Sequence, residues 1–179
     1  FENYDILPDL FTTAKGLSGG LPQSALVGRR ELMDIYAPNT MTSTHSGSPV
    51  ASAGTAANIK FLKEHNMCQE ALRKGKIMEE KLKALWKQFP ERISYVSGIG
   101  MAWAVTFAEA DTHAIHPEFA LEVTKKCNEN GLTFFAAVGA GITMKLTPPL
   151  TIPDDALIEG LEAYATAVAE ADAIMPAYK

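Results

Sequence analysis

The chain has 179 residues, 47% of them hydrophobic and 21% charged, and a formal net charge of −5, enough for one domain with a core of its own or somewhat more than one. An acidic balance without a dense Lys/Arg cluster argues against a groove for a phosphate backbone, so nucleic acid is not expected as a partner. No stretch reaches transmembrane length and no basic start leads into an apolar run with a small-residue cleavage site, so neither a membrane span nor a signal peptide is expected.

Asp9 to Ala14 is predicted as a short buried strand that ends at Lys15 and a run of glycines. Gln23 to Gly28 follows as a second strand, Arg29 to Tyr36 as a short helix or turn, and Ala37 to Gly47 as a loop of Pro, Asn, Thr, Ser and Gly. Pro49 opens a helix with Ser48 at its N-cap, and the small residues from Ala51 to Ala57 let that helix pack close to a neighbour. A second helix from about Met67 carries Met78, Leu82, Leu85, Trp86 and Phe89 at helical spacing, a core stripe ended by Pro90. The basic residues from Arg73 to Lys83 interleave with or follow Glu70, Glu79 and Glu80 and read as a solvated helix face.

The composition changes after that helix. Ile93 to Val96 and Met101 to Phe107 are predicted strands around Gly98-Ile99-Gly100, the second with apolar residues at a period of two. Pro117 starts a helix that ends at Asn130-Gly131, with Gly131 as a left-handed cap. His113 and His116 fall in the loop before it. Leu132 to Val138 and Ile142 to Leu146 are predicted strands across a glycine turn, and a last helix begins near Pro153, with Asp154 and Asp155 at its positive end, and runs to about Ala173. The reading divides the chain into an α/β part, residues 1–88, and a small α+β unit, residues 89–179. Cys68 and Cys127 fit no metal spacing and read as core residues of a reduced, cytoplasmic protein.

Three segments could carry chemistry. In Thr12-Thr13-Ala14-Lys15-Gly16-Leu17-Ser18-Gly19-Gly20-Leu21-Pro22, a lysine at the end of a buried strand is a candidate amine nucleophile, because desolvation favours its free base. The glycines after it let backbone approach a bound group closely. In Thr42-Ser43-Thr44-His45-Ser46-Gly47-Ser48-Pro49, hydroxyls and a glycine stand just before a helix start, where free N–H groups and the helix dipole favour an anion. In Lys145-Leu146-Thr147-Pro148-Pro149-Leu150, the lysine can pair with a carboxylate as a point charge. Each segment also has a plainer reading: a strand-end lysine reaching to water, an ordinary helix cap and a surface lysine. His45, His65, His113 and His116 show no ligand-like spacing, so no metal is expected.

Taken in order, the three motifs resemble the class III, omega-amino-acid type aminotransferases, enzymes that use pyridoxal 5′-phosphate (PLP) on the fold-type I, aspartate aminotransferase-like scaffold. The resemblance runs from Tyr4 to about Val168. It implies an α/β fold in which residues 1–88 are the C-terminal portion of the PLP-binding large domain and residues 89–179 the small C-terminal α+β domain. It implies that Lys15 forms the Schiff base with PLP and then moves a proton between substrate and cofactor. The reaction implied carries an amino group from an amine or omega-amino acid, 4-aminobutyrate-like, to a 2-keto acid. Thr44, with Ser43 beside it, would contact the PLP phosphate of the neighbouring subunit of a homodimer. Lys145 stands where the family has an arginine that grips a substrate carboxylate, His45 stands for its usual phenylalanine, and Ser48 for its usual asparagine.

Members of this family run to more than twice this length, so the chain is expected to be the C-terminal part of a longer polypeptide. The aspartate under the pyridine nitrogen, the aromatic that stacks on the ring and the first phosphate loop would lie upstream, and the chain alone is not expected to be a competent enzyme. Racemisation, decarboxylation and amino-group migration on the same scaffold stay open as alternatives, as does a non-catalytic fragment.

Overall fold

A computed structural model of the chain describes residues 1–40, 43–109, 114–135 and 141–176. They fall into two compact units, Phe1–Met67 and Cys68–Lys179.

In the first unit, β1 (Leu10–Thr13) and β2 (Ala25–Gly28) pair antiparallel, Leu10 opposite Gly28 and Thr13 opposite Ala25. Both strands fall inside the predicted segments, but β1 is not buried. Leu10 and Thr12 are exposed, and Phe11 and Thr13 only half-buried. A two-stranded ribbon has no second layer of its own to cover its faces, so an apolar run does not become a buried strand by sequence alone. A short helix, α1 (Arg30–Met33), follows, and then the long helix α2 (Pro49–Glu64). The small residues of α2 do what their size allows: a Cβ at Gly54 would stand 3.0 Å from Leu21 Cδ1 and 3.4 Å from Ser18 O, so the segment around Ser18 lies directly on the helix.

The second unit is built on α3 (Met67–Gln88), a three-stranded antiparallel sheet, α4 (Pro117–Glu129) and α5 (Asp154–Ile174). The sheet order is β3 (Ile93–Ile99), β4 (Ala102–Phe107), β5 (Thr143–Leu146), with Ile99 opposite Ala102 and Trp103 opposite Leu146. β3 continues through Gly98 and Ile99, which the sequence reading placed in a break. Trp103, Val105 and Phe107 of β4, together with Met101 before it, point into the core, as the period of two requires. Met78, Leu82 and Leu85 of α3 meet them there with Phe119, Val123 and Cys127 of α4 and Leu161, Tyr164 and Val168 of α5. Gly131 sits at φ +79 just beyond α4, the left-handed backbone predicted for it.

Three expectations fail in this unit. Leu132–Phe135 is not strand; Leu132 N–H instead donates to Cys127 O at 2.8 Å, closing the end of α4, and Phe134 stacks on Tyr164 with ring centroids 5.6 Å apart. That segment's polar backbone and apolar side chains are spent on α4 and α5 rather than on a ladder; the rest of the predicted strand, residues 136–138, and His113 lie outside the described residues. Cys68 is exposed on the first turn of α3, not core. The basic stretch of α3 is not uniformly solvated either, since Lys74 is buried at 6% exposure. Its Nζ donates to Leu150 O and Ile152 O, which satisfies the ammonium inside the protein. Among the described residues, no helix is long and apolar enough to cross a membrane.

Candidate active site

Lys15 follows β1 directly. Ala14 is extended, and Lys15 then turns to φ +53 and opens a 3₁₀ turn, Lys15–Ser18. The other non-glycine residues with positive φ among those described are Asp5, Asn39 and Asn66. Asp and Asn tolerate that backbone through their short polar side chains; lysine has no such help, and the conformation costs it about 1–2 kcal/mol. It persists because the turn is tied from several sides. Leu17 N–H donates to Ala14 O at 3.1 Å, Ser18 Oγ donates to Leu21 O, and the Asn58 side chain of α2 donates to Gly16 O at 2.8 Å and Leu17 O at 3.0 Å.

The Lys15 side chain is exposed, and among the described residues its ammonium has no hydrogen-bond or ion-pair partner. The desolvated strand-end lysine expected from the sequence is therefore not formed by this chain's own residues, for the same reason that β1 is uncovered. What the chain does form is a fixed backbone with an exposed primary amine.

Ser43 and Thr44 lie before α2, in a turn closed by Ser46 N–H to Ser43 O at 3.2 Å, and both are exposed, as is His45. Thr42 lies outside the described residues. Ser48 occupies the N-cap position and Pro49 the first helical position, as predicted, but the Ser48 hydroxyl makes no capping hydrogen bond. The N–H groups of the first turn of α2 thus have no side-chain cap from it, and Ser43 and Thr44 precede Pro49 by six and five residues. Lys15, Ser43 and Thr44 are all carried by the first unit, with α2 as their common support. Asn58, at the Lys15 turn, is ten residues along the helix from Ser48, about 15 Å at the helical rise.

Lys145 belongs to the second unit. It lies on β5 opposite Ala104, exposed, between the buried Met144 and Leu146. It borders a cavity of about 350 Å³ whose walls include Phe134, Pro148, Pro149, Ile152 and Leu161. Lys145 on a largely apolar wall that also carries Thr133 and Thr147 suits a ligand with a charged end and a hydrocarbon body.

Two supporting residues were not picked out from the sequence. Asn58 is a polar residue one helical turn from Gly54 on a helix of small residues, and that pairing of a gap with an amide is the signal it offered. Lys74 offered none, because nothing local separates a buried lysine from the exposed ones around it.

The donor set fits PLP at two of its groups: an exposed primary amine, without a partner among the described residues, for an aldehyde, and exposed hydroxyls in the turn before a helix start for a phosphate. The comparisons agree. The chain is 33% identical over 161 residues to a 4-aminobutyrate aminotransferase from Mycobacterium leprae, a match that covers 90% of this chain and 36% of that protein. It is also 33% identical over 172 residues to a leucine/methionine racemase from Thermococcus litoralis, covering 96% of this chain and 38% of that one. It therefore spans little more than a third of the length of the curated relatives it matches. An ornithine aminotransferase structure from Plasmodium yoelii superposes with a TM-score of 0.83 at 29% identity, over 96% of this chain and 43% of that chain. The fold is the mixed helix-and-strand, fold-type I architecture of the PLP-dependent transaminases. The family model for "Aminotransferase class-III" matches residues 1–168, and the chain belongs to that PLP-dependent family.

Proposed function

We propose that this chain is the C-terminal part of an aminotransferase that moves an amino group from an omega-amino acid, 4-aminobutyrate-like, to a 2-keto acid. The observation that carries the reading is the exposed amine of Lys15, without a partner among the described residues, on a backbone held at φ +53, within a chain matched to the family over residues 1–168.

Bound PLP would supply an electron sink for bonds at the substrate's amine-bearing carbon. The work of this chain's residues is to hold and to move protons. Lys15 is the covalent anchor through Nζ, and once released it carries a proton to and from the substrate carbon. Thr44 and Ser43 supply hydroxyl donors to the cofactor phosphate of the neighbouring subunit in a homodimer. The separation of about 15 Å along α2 supports this division of labour, since the lysine turn and the hydroxyl turn lie at different levels of one rigid helix. Lys145 pairs with a substrate carboxylate at the rim of the apolar cavity.

The remainder of the site belongs to the upstream part of the polypeptide. That part would also cover the first unit's apolar surface, where Leu7 is 89% exposed and Tyr4 74%. We retain residues 1–88 as the end of the large domain and 89–179 as the small domain, on the change of composition after α3. A cytoplasmic setting fits two cysteines that are both free.

The test is an assay of the full-length polypeptide with 4-aminobutyrate and 2-oxoglutarate. Formation of glutamate supports transfer. In a second assay, with one enantiomer of leucine or methionine and no keto acid, appearance of the opposite enantiomer supports a racemase, the second reading, which the similarity to the Thermococcus litoralis enzyme favours over decarboxylation or amino-group migration. Absence of PLP binding supports a non-catalytic relative.

A further inference from the structure

We propose that Asn58 is the positioning residue for Lys15. Its carboxamide ties the carbonyls of Gly16 and Leu17 to α2 and so fixes the left-handed backbone from which the Lys15 amine reaches its partner. The inference rests on the reading of Lys15 as the cofactor anchor.

Three observations support it. Asn58 Nδ2 donates to two successive carbonyls of the turn, at 2.8 and 3.0 Å, from 42 and 41 residues away. Both hydrogens of one amide are thus committed to the residues that directly follow Lys15. The turn's own bond to Gly16 O is the weaker one, Gly19 N–H at 3.4 Å. And α2 leaves room for the turn beside this contact. Gly54 lies one turn earlier on the same face of α2 and lets the turn approach. Gly19, at φ +70, lets the chain turn away at the end of this segment.

Asparagine is a poor helix former, so local propensity gives no reason for it inside α2. A lysine amine hangs on four methylenes, and a change in φ at its root displaces the amine by ångströms. Misplacement of a reacting group by about 1 Å is enough to cost orders of magnitude in rate. The bidentate amide is the contact that resists relaxation of Lys15 into the right-handed region.

The experiment compares the full-length polypeptide with its Asn58→Asp and Asn58→Leu variants, which are close in shape and lack the donors. Three quantities are measured: the melting temperature without cofactor, the yield of borohydride-fixed cofactor on Lys15 at subsaturating PLP, and the pH midpoint of the lysine–cofactor linkage by absorbance. The expected result is a cofactor-free melting temperature close to wild type in at least one variant. In that variant the fixed cofactor falls about tenfold, the equivalent of one to two net hydrogen bonds, and the pH midpoint is displaced. A wild-type adduct together with an unchanged yield and midpoint in a folded variant overturns the role of Asn58 alone. Loss of the fold in both variants also overturns it, since Asn58 is then a residue of general stability. A wild type that forms no adduct on Lys15 overturns the reading of Lys15 and this inference with it.

Discussion

Lys74 of α3 donates its ammonium to the carbonyl oxygen of Ile152 at 2.6 Å, and a second hydrogen goes to Leu150 O at 3.0 Å. These carbonyls close the segment that begins at Lys145 and runs through Pro148 and Pro149, so a lysine on a helix sets the course of the loop beside the cavity. Lys74→Met keeps the aliphatic stem and leaves two carbonyls without their donor. With about 1–3 kcal/mol for each group left unsatisfied, the variant is expected to lose roughly 2–6 kcal/mol in urea unfolding. An unfolding midpoint equal to wild type would contradict the clasp.

Beside it, Arg73 grips Asp154 with two hydrogen bonds of 2.7 Å and reaches Glu70 at 3.0 Å. The hydrogen bonds to Arg73 hold both carboxyls below their usual range. A carboxyl with a lowered folded pKa adds stability that is fully present above its unfolded value and is lost as pH falls through the folded value. Asp154→Asn is therefore expected to be less stable than wild type at neutral pH, with the gap closing as pH drops below about 4. The check is urea unfolding at both ends of that range; a gap of equal size at both would show that the ion pair contributes no pH-dependent stability.

Burial pushes the Cys127 thiol up to about 12, whereas Cys68 is exposed. Only the thiolate alkylates, so iodoacetamide at about pH 8 is expected to spare Cys127 until the protein is unfolded. Peptide mapping reads the two sites separately. Labelling of Cys127 in the native protein as fast as Cys68 would contradict the packing of α4.

Thr44→Ala removes one hydroxyl donor from the turn before α2. If that hydroxyl serves the cofactor phosphate, PLP affinity of the assembled enzyme falls by about 1–3 kcal/mol, measured by equilibrium release of the cofactor. Unchanged affinity would remove Thr44 from the site.

What the sequence made legible follows a physical line. Elements whose burial is decided within their own unit were readable. The alternation from Met101 to Phe107 and the stripe from Met78 to Leu85 point into the core as their periods require, and Gly131 takes the positive φ that only glycine adopts freely. Two segments were misread, for different reasons. β1 has the composition of a buried strand and no layer over it here. Leu132–Phe135 has the composition of a strand, yet its leading N–H is spent on the end of α4. For the site, the motif singled out Lys15 as the candidate, but the left-handed backbone and the Asn58 clasp are tertiary facts, carried by contacts more than forty residues apart. Lys74 was hidden for the same reason: its partners lie 76 and 78 residues away.

The central claim is that Lys15 is the covalent anchor of the cofactor. The most direct measurement is borohydride reduction of the full-length polypeptide with PLP, followed by proteolysis and mass spectrometry. The account predicts a phosphopyridoxyl adduct on the peptide containing Lys15, and its loss, together with loss of turnover, in folded Lys15→Ala and Lys15→Arg variants. An adduct on a different lysine, no adduct after reconstitution with PLP, or full activity in Lys15→Ala would contradict it.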